Sequence, residues 1–198
     1  LPPKIAQNKV VIVPIIFEDS KTSVLKKAKE LAGILKEFDP IVDERENYNA
    51  GFKFNEWELK GIPLRIEIGP KDIKEDKVML VRRDNGKKES VKLKDLKQKV
   101  EEELEDIQKC LFNKAEKLLK ENIIKVKNLK EIGETIKNKK IAFAPLCGDE
   151  SCEGDLKTGT LGVKVLNVPE KQPSELEKSK CSICAKKADY FAYIGKSY

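Results

Sequence analysis

Residues 9–17, KVVIVPIIF, are apolar and mostly β-branched, and a strand of this kind needs cover on both faces. That requirement points to the interior of a sheet with helices on each side. The following residues supply them. Asp19 and Ser20 offer N-cap oxygens for a helix over residues 21–38, with Val24, Ala28, Leu31, Leu35 and Phe38 on one face. Asp39-Pro40 stops it, and Ile41-Val42 starts a short strand. A helix is expected over about residues 48–60, and after the Gly61-Ile62-Pro63 turn Leu64–Ile68 alternates as a strand. Strand–helix–strand–helix–strand is the order of a parallel sheet.

The next strand is expected at residues 77–83. Asp84-Asn85-Gly86-Lys87 then carries Asn-Gly, the strongest short hairpin signal, and the return strand falls near residues 89–93. The sheet is therefore mixed, with an antiparallel edge. A long helix follows over about residues 94–121, with Leu96, Val100, Leu104, Ile107, Leu111, Ala115 and Leu118 on one stripe. It reads as a helix packed on a sheet; a coiled coil would need heptads to continue beyond it. Cys110, beside Leu111, reads as a buried, inert thiol. The pattern then restarts with a strand at 123–126, a helix at 129–138 and a strand at 140–145, so a domain boundary is placed between Lys120 and Lys127. Residues 146–198 read as loop-rich, with 171–180 a polar, mobile stretch, except that the aromatic tail YFAYIGKSY reads as a docked strand.

Composition removes much chemistry. The chain has no histidine, which excludes Ser-His-Asp and Cys-His catalysis and every His-containing metal site. A net charge of +6 permits nucleic-acid binding without proving it. No run reaches the length of a membrane span, and the first residues do not form a signal peptide. Leu1-Pro2-Pro3, with no Met, reads as the start of a piece of a longer chain. Five cysteines suggest a reducing compartment, with metal or free thiols rather than disulfides. Four of them form two tight loops, Cys147-x4-Cys152 and Cys181-x2-Cys184, the spacing a tetrahedral thiolate site needs. Four thiolates close the shell, so such a metal is structural. A redox Cys181–Cys184 pair and unconnected buried thiols are the alternatives.

Phe54, Glu58, Arg65, Lys71 and Asp72 fall within one short stretch. They supply a stacking ring, carboxylate acceptors and cationic donors, the means by which unpaired bases are read. The plainer alternative places Phe54 and Trp57 in the core and pairs Arg65 with Glu67 or Glu58 on the surface.

Three stretches together, LPPKIA…VVIVPI, GFKFNEWELKGIPLRIEIGPKD and CSIC…GKSY, resemble the C-terminal half of archaeal/eukaryotic-type prolyl-tRNA synthetases of class II, nearly end to end. The resemblance implies an α/β fold: a mixed, mainly parallel sheet flanked by helices, the class II anticodon-binding fold, over residues 10–122. A small α+β zinc-stabilised domain follows at 123–198, and residues 1–9 are the linker from an absent catalytic domain. It further implies that the first domain reads the two guanines of the proline anticodon. Phe54 would be the stacking platform, Glu58 and Asp72 acceptors, and Arg65 and Lys71 donors. Phe52 stands where relatives often have Trp. Some members carry zinc on such cysteines, which supports structural zinc at Cys147, Cys152, Cys181 and Cys184. Lys196-Ser197-Tyr198 matches a family tail whose terminal Tyr lies near the catalytic site.

ATP and magnesium would belong to the absent domain, so this chain holds no catalytic residue and is expected not to make prolyl-adenylate alone. The implied partners are a proline tRNA, the catalytic domain of the same parent chain and, for the full enzyme, a second copy in a homodimer. Membrane and DNA are not among them, and the implied location is cytoplasmic. Two alternatives remain: a stand-alone RNA-binding accessory module of the same fold, and a zinc-stabilised assembly scaffold.

Overall fold

A computed structural model describes residues 1–160 and 162–196. The chain divides into two compact units, Leu1–Lys114 and Ala115–Tyr198.

In the first unit the apolar run forms β1, Val10–Pro14, buried along its whole length. Its neighbours are both parallel: β2, Ile41–Val42, and β3, Leu64–Ile68. The antiparallel strands β4, Lys77–Arg82, and β5, Lys88–Lys92, complete the order β2-β1-β3-β4-β5. The expected hairpin forms, with residues 83–87 as its loop and Gly86 in the left-handed region at φ 70°.

Helix α1, Lys21–Ile34, stops four residues before the expected end. A 3-10 turn over Lys36–Phe38 takes over, and Asp39 turns left-handed ahead of Pro40, which ends the helix. Helix α2, Ala50–Leu59, begins at Asn49, whose side-chain oxygen accepts the Phe52 N–H at 2.8 Å. After β3, residues Pro70–Lys74 form a short helix, α3.

Because side chains alternate along a strand, one face of the sheet carries Val10, Ile12, Leu64, Ile66, Leu80 and Val91. These pack with Ala28, Leu31 and Leu35 of α1 and with Leu96, Val100, Leu104 and Ile107 of α4, Leu96–Asn122. The opposite face carries Val11, Val13, Arg65 and Glu67, aligned by the register Val11↔Arg65 and Val13↔Glu67. All four are buried, and α2 packs on β1. Charge on a buried face therefore follows directly from the strand register.

The α4 stripe is buried only over its first half. Leu111 packs on the core, while Ala115 and Leu118 are exposed. A helix of this length runs about 40 Å, well beyond the short strands it covers. Cys110, expected to be buried, is exposed and lies 3.6 Å from Asp106. One position round from Leu111, it turns away from the core. Arg82 of β4 ties the sheet to α4. It is buried and bonds Glu103 at 2.8 Å, Asp106, and both oxygens of Asp84 at 3.0 and 2.8 Å.

The second unit is a four-stranded sheet in the order β6-β7-β9-β8. Its strands are β6, Ile123–Lys125; β7, Ile141–Leu146; β8, Val163–Asn167; and β9, Tyr190–Lys196. Helices α5, Leu129–Lys137, and α6, Glu150–Gly159, supply its cover. The aromatic tail is the docked strand expected of it, and β9 lies between β7 and β8. The region is less irregular than its sequence suggests, since α6 and β8 fall within it. Helix α6 buries only Cys152 and Leu156 and holds two glycines, so it shows little periodicity. Residues 171–180, expected to be loose, are tied to the sheet: the Gln172 amide oxygen accepts the Phe191 N–H at 2.7 Å. Among the described residues no helix is long and apolar enough to cross a membrane.

Candidate nucleic-acid interface and thiolate centre

Phe54 and Glu58 stand one helical turn apart on α2, and so share a face. Arg65 lies on the strand face beneath. Its Nη1 donates to Glu58 Oε1 at 2.7 Å and its Nε to Glu67 Oε1 at 3.0 Å. The guanidinium also sits 4.2 Å from the centre of the Phe54 ring, a cation–π contact. The Arg65 side chain is 8% exposed and that of Glu58 49%, and Phe54 is half-buried. The planar fork is thus fixed from two sides and stacked on a ring, with a half-exposed carboxylate beside it. Such a cluster can present both donors and acceptors to a planar base edge.

The other two sequence candidates are elsewhere. Lys71 is exposed on α3, and Asp72 Oδ2 caps that helix by accepting the Gly69 N–H at 2.8 Å. Both lie beyond the end of β3, and the strand alone carries the backbone about 10 Å from Arg65 to Ile68. The second carboxylate that Arg65 actually meets is Glu67. Tyr198 lies outside the described residues.

The position of α2 depends on a residue that sequence reasoning passed over. Asp43, just after β2, accepts from Arg45 Nε at 2.9 Å, Arg45 Nη2 at 2.8 Å and Trp57 Nε1 at 2.8 Å. Lys53, 3% exposed, donates to the Asp43 carbonyl at 3.0 Å. Arg45 continues to Glu56, so three positions of α2 are tied to the end of β2. Burial pushes the Asp43 carboxyl up. The hydrogen bonds from Arg45 and Trp57 and the Lys53 charge outweigh it and hold the group well below the usual carboxylate range.

A folded value below the unfolded one adds stability that is complete above about pH 4 and is lost as pH falls through the folded value. The stability gap between wild type and Asp43→Asn should therefore be large at pH 7 and shrink below about pH 4. Acid unfolding followed by Trp57 fluorescence measures it, and a gap that stays constant with pH would remove the assigned role.

In the second unit, Cys147 ends the β7 turn at Gly148, whose φ is 70°, and Cys152 lies on α6. Cys181 and Cys184 form a knuckle closed by Cys181 N–H to Lys186 O at 2.7 Å and Ala185 N–H to Cys181 O at 3.0 Å. The sulfurs of Cys147 and Cys152 are 3.6 Å apart, as are those of Cys147 and Cys184, and all four lie within 4.8 Å of one another. Tetrahedral bonds of about 2.3 Å put sulfurs about 3.8 Å apart. The four cysteines therefore form one cluster able to hold a metal ion, and the reading of them as unconnected thiols is set aside. The Lys186 backbone N–H holds the Cys184 thiol down to about 7, while burial pushes Cys152 up. A divalent cation at the centre would let all four ionise together.

The mixed parallel–antiparallel sheet, flanked by helices, has the anticodon-binding fold. Residues 9–103 match the family model described as "Anticodon binding domain". Residues 129–198 match the one described as "Prolyl-tRNA synthetase, C-terminal". The chain belongs to the prolyl-tRNA synthetase family. It is 43% identical over 200 residues to the proline–tRNA ligase of Alkaliphilus oremlandii, covering 100% of this chain and 41% of that protein. Against the cytoplasmic proline–tRNA ligase of Arabidopsis thaliana it is 38% identical over 205 residues, covering 100% of this chain and 39% of that one. Against proline–tRNA ligase 2 of Bacillus cereus strain ZK it is 40% identical over 200 residues, covering 100% and 41%. The chain thus spans about two fifths of the length of the curated relatives it matches.

Proposed function

We propose that this chain is the tRNA-recognition portion of a proline–tRNA ligase, reading the two guanines of the proline anticodon. The observation that carries the reading is the Phe54–Glu58–Arg65 cluster within the span matched as an anticodon-binding domain. Arg65 presents its remaining guanidinium donors to guanine O6 and N7, the half-exposed Glu58 carboxylate accepts from the guanine N–H groups, and Phe54 offers the ring face. Glu67 acts as the positioning partner that keeps the fork planar to the incoming base. Lys71 and Asp72, on α3 beyond the end of β3, serve the second guanine.

Residues 10–122 form the reading domain and 123–198 the C-terminal domain, with 1–9 as the linker from the catalytic part. Zinc is the structural metal of Cys147, Cys152, Cys181 and Cys184, a choice supported by an all-thiolate donor set at tetrahedral spacing. Proline activation with ATP and magnesium belongs to the portion of the relatives that this chain does not match. The reading includes a cytoplasmic location, a homodimeric parent enzyme, and Tyr198 directed toward its catalytic domain.

The test is a titration at fixed salt of proline tRNA against a tRNA whose two anticodon guanines are replaced. Each guanine should be worth about 1–3 kcal/mol. Arg65→Lys, which keeps the charge and loses the fork, should abolish the preference at one position. Equal affinity for the two tRNAs would overturn the reading and leave only a salt-dependent lysine field.

A further inference from the structure

A second feature of the first unit is left unused by the cluster around Arg65. Beyond the carboxyl ends of β1 and β2, a groove of about 640 Å³ opens between residues 14–18 and residues 45–50. Open α/β sheets take ligands in this place, and the volume lies within the range of small-ligand sites, roughly 300–1,000 Å³. One wall is Phe17, a large apolar ring three residues beyond the end of β1 that is nevertheless 62% exposed. The other wall is Tyr48, which stacks on Phe52 at 4.4 Å with 12° between the rings, while the Arg45 guanidinium lies 4.9 Å from its centre.

The charges at the rim decide what would fit. Lys21 is paired with Glu46 at 2.6 Å, Arg45 with Asp43 and Glu56, and Lys53 with Asp43. With its cations already neutralised, the groove is a poor phosphate site and a good one for a flat, uncharged, polar-edged ring. The side-chain amide of Asn47, on the lining, can meet such an edge. Helix α2 joins the two features, because Ala50 and Lys53 line the groove and the next residue is Phe54.

We propose that this groove is a base-stacking slot for one unpaired nucleobase of the same RNA loop, outside the two guanines, with Phe17 as its principal platform. The inference rests on the anticodon-reading function and adds to it a site that selects for an unstacked loop rather than for a guanine. Nucleobases stacked on a protein ring are held without strong regard to sequence, so the slot would set affinity and loop geometry while the Arg65 cluster sets identity.

The experiment uses the full chain and a proline anticodon stem-loop RNA, with a series of loops each carrying one abasic nucleotide. Phe17→Ala should weaken binding on the order of tenfold and leave the guanine preference unchanged, and Phe17→Trp should bind like wild type. The Phe17→Ala defect should vanish on one abasic loop, at a position other than the two guanines. Phe17 is largely exposed, so its replacement leaves the core intact, and Tyr48→Ala against Tyr48→Phe provides the same comparison on the opposite wall. Wild-type binding by Phe17→Ala would overturn the proposal. So would a defect that persists on every abasic loop, or one that vanishes only where a guanine is missing. Titration with free adenosine and guanosine monophosphates separates a small-molecule site: Phe17-dependent binding of these, with RNA binding indifferent to Phe17, would overturn the RNA assignment. If wild type ignores the guanines while the Phe17 defect still maps to one loop base, the anticodon reading fails and the slot stands.

Discussion

Removing the metal, or replacing Cys152 by alanine, is expected to unfold residues 115–196 while residues 1–114 remain folded. The second unit is small, and the cluster joins its β7 turn, helix α6 and the 181–184 knuckle at one point. Structural zinc contributes on the order of 10 kcal/mol or more, comparable to the whole stability of a typical domain, about 5–15 kcal/mol. Without the cation, the buried Cys152 sulfur and its neighbours lose their common partner. The two units can be followed separately. Trp57, the only tryptophan, lies in the first unit, and Tyr190 and Tyr193 lie in the second. Chelation should therefore remove the Tyr190 and Tyr193 contribution to the near-ultraviolet signal and leave the Trp57 transition in place. A Cys152→Ala chain that melts as the wild type does would show that the cluster is not a structural centre.

The second large effect is expected at Arg82. Its guanidinium holds Asp84 and Glu103, whose side chains are each only 7% exposed. Glu103 keeps Lys99 at 3.0 Å when Arg82 is removed, but Asp84 keeps no ion-pair partner among the described residues. Breaking a buried pair from one side leaves an uncompensated charge and costs about 3–5 kcal/mol. For a unit of this size the melting temperature should then fall by well over 10 °C, at several degrees per kcal/mol. Arg82→Met combined with Asp84→Asn should recover much of that loss, because the charge that lost its partner is gone as well. Urea unfolding followed by Trp57 measures both variants. A loss below about 1 kcal/mol for Arg82→Ala would mean that water replaces the guanidinium.

The parallel half of the first sheet could be read from sequence because a doubly covered strand has no polar alternation to confuse it, and β3 falls at the residues expected, Leu64–Ile68. The chemistry at Phe54, Glu58 and Arg65 was legible as residue types at helical and strand spacing. The pairing of Arg65 with Glu58 or Glu67 was legible too, as the plainer alternative, but the separation of Lys71 and Asp72 from that cluster was not. Arg65 turns toward Glu67, two residues along its own strand, and Asp72 is occupied with capping α3. Local hydrogen bonding thus competes for both carboxylates assigned to RNA, Glu58 through Arg65 and Asp72 through the Gly69 N–H. Lys53 and Asp43 were missed because a charged residue on a helix, or in a polar run such as DERENYN, normally signals solvent. They are buried where α2, packed on β1, meets the chain leaving β2. The cysteine pairs were easy to read, since tight loops constrain sulfur positions strongly. Helix α6 was hard, since it owes its place to the cluster and to Leu156 more than to any apolar face of its own.

The position of β9 governs how the chain must be made. A ribosome releases β7 about fifty residues before β9, and β8 more than twenty before it. Yet β7 and β8 never pair with each other, because β9 is the strand between them. During synthesis both wait with open backbone edges, the kind of surface on which nascent chains associate with one another. Cys181 and Cys184 are also late, so early loading of metal on Cys147 and Cys152 cannot close the site. The second unit is consequently committed to folding after translation of its last strand, while residues 1–114 can fold ahead of it and shield only themselves. Truncations that end between β7 and β9, leaving β7 or β8 without its partner, should accumulate in cells as aggregates rather than as shorter soluble forms.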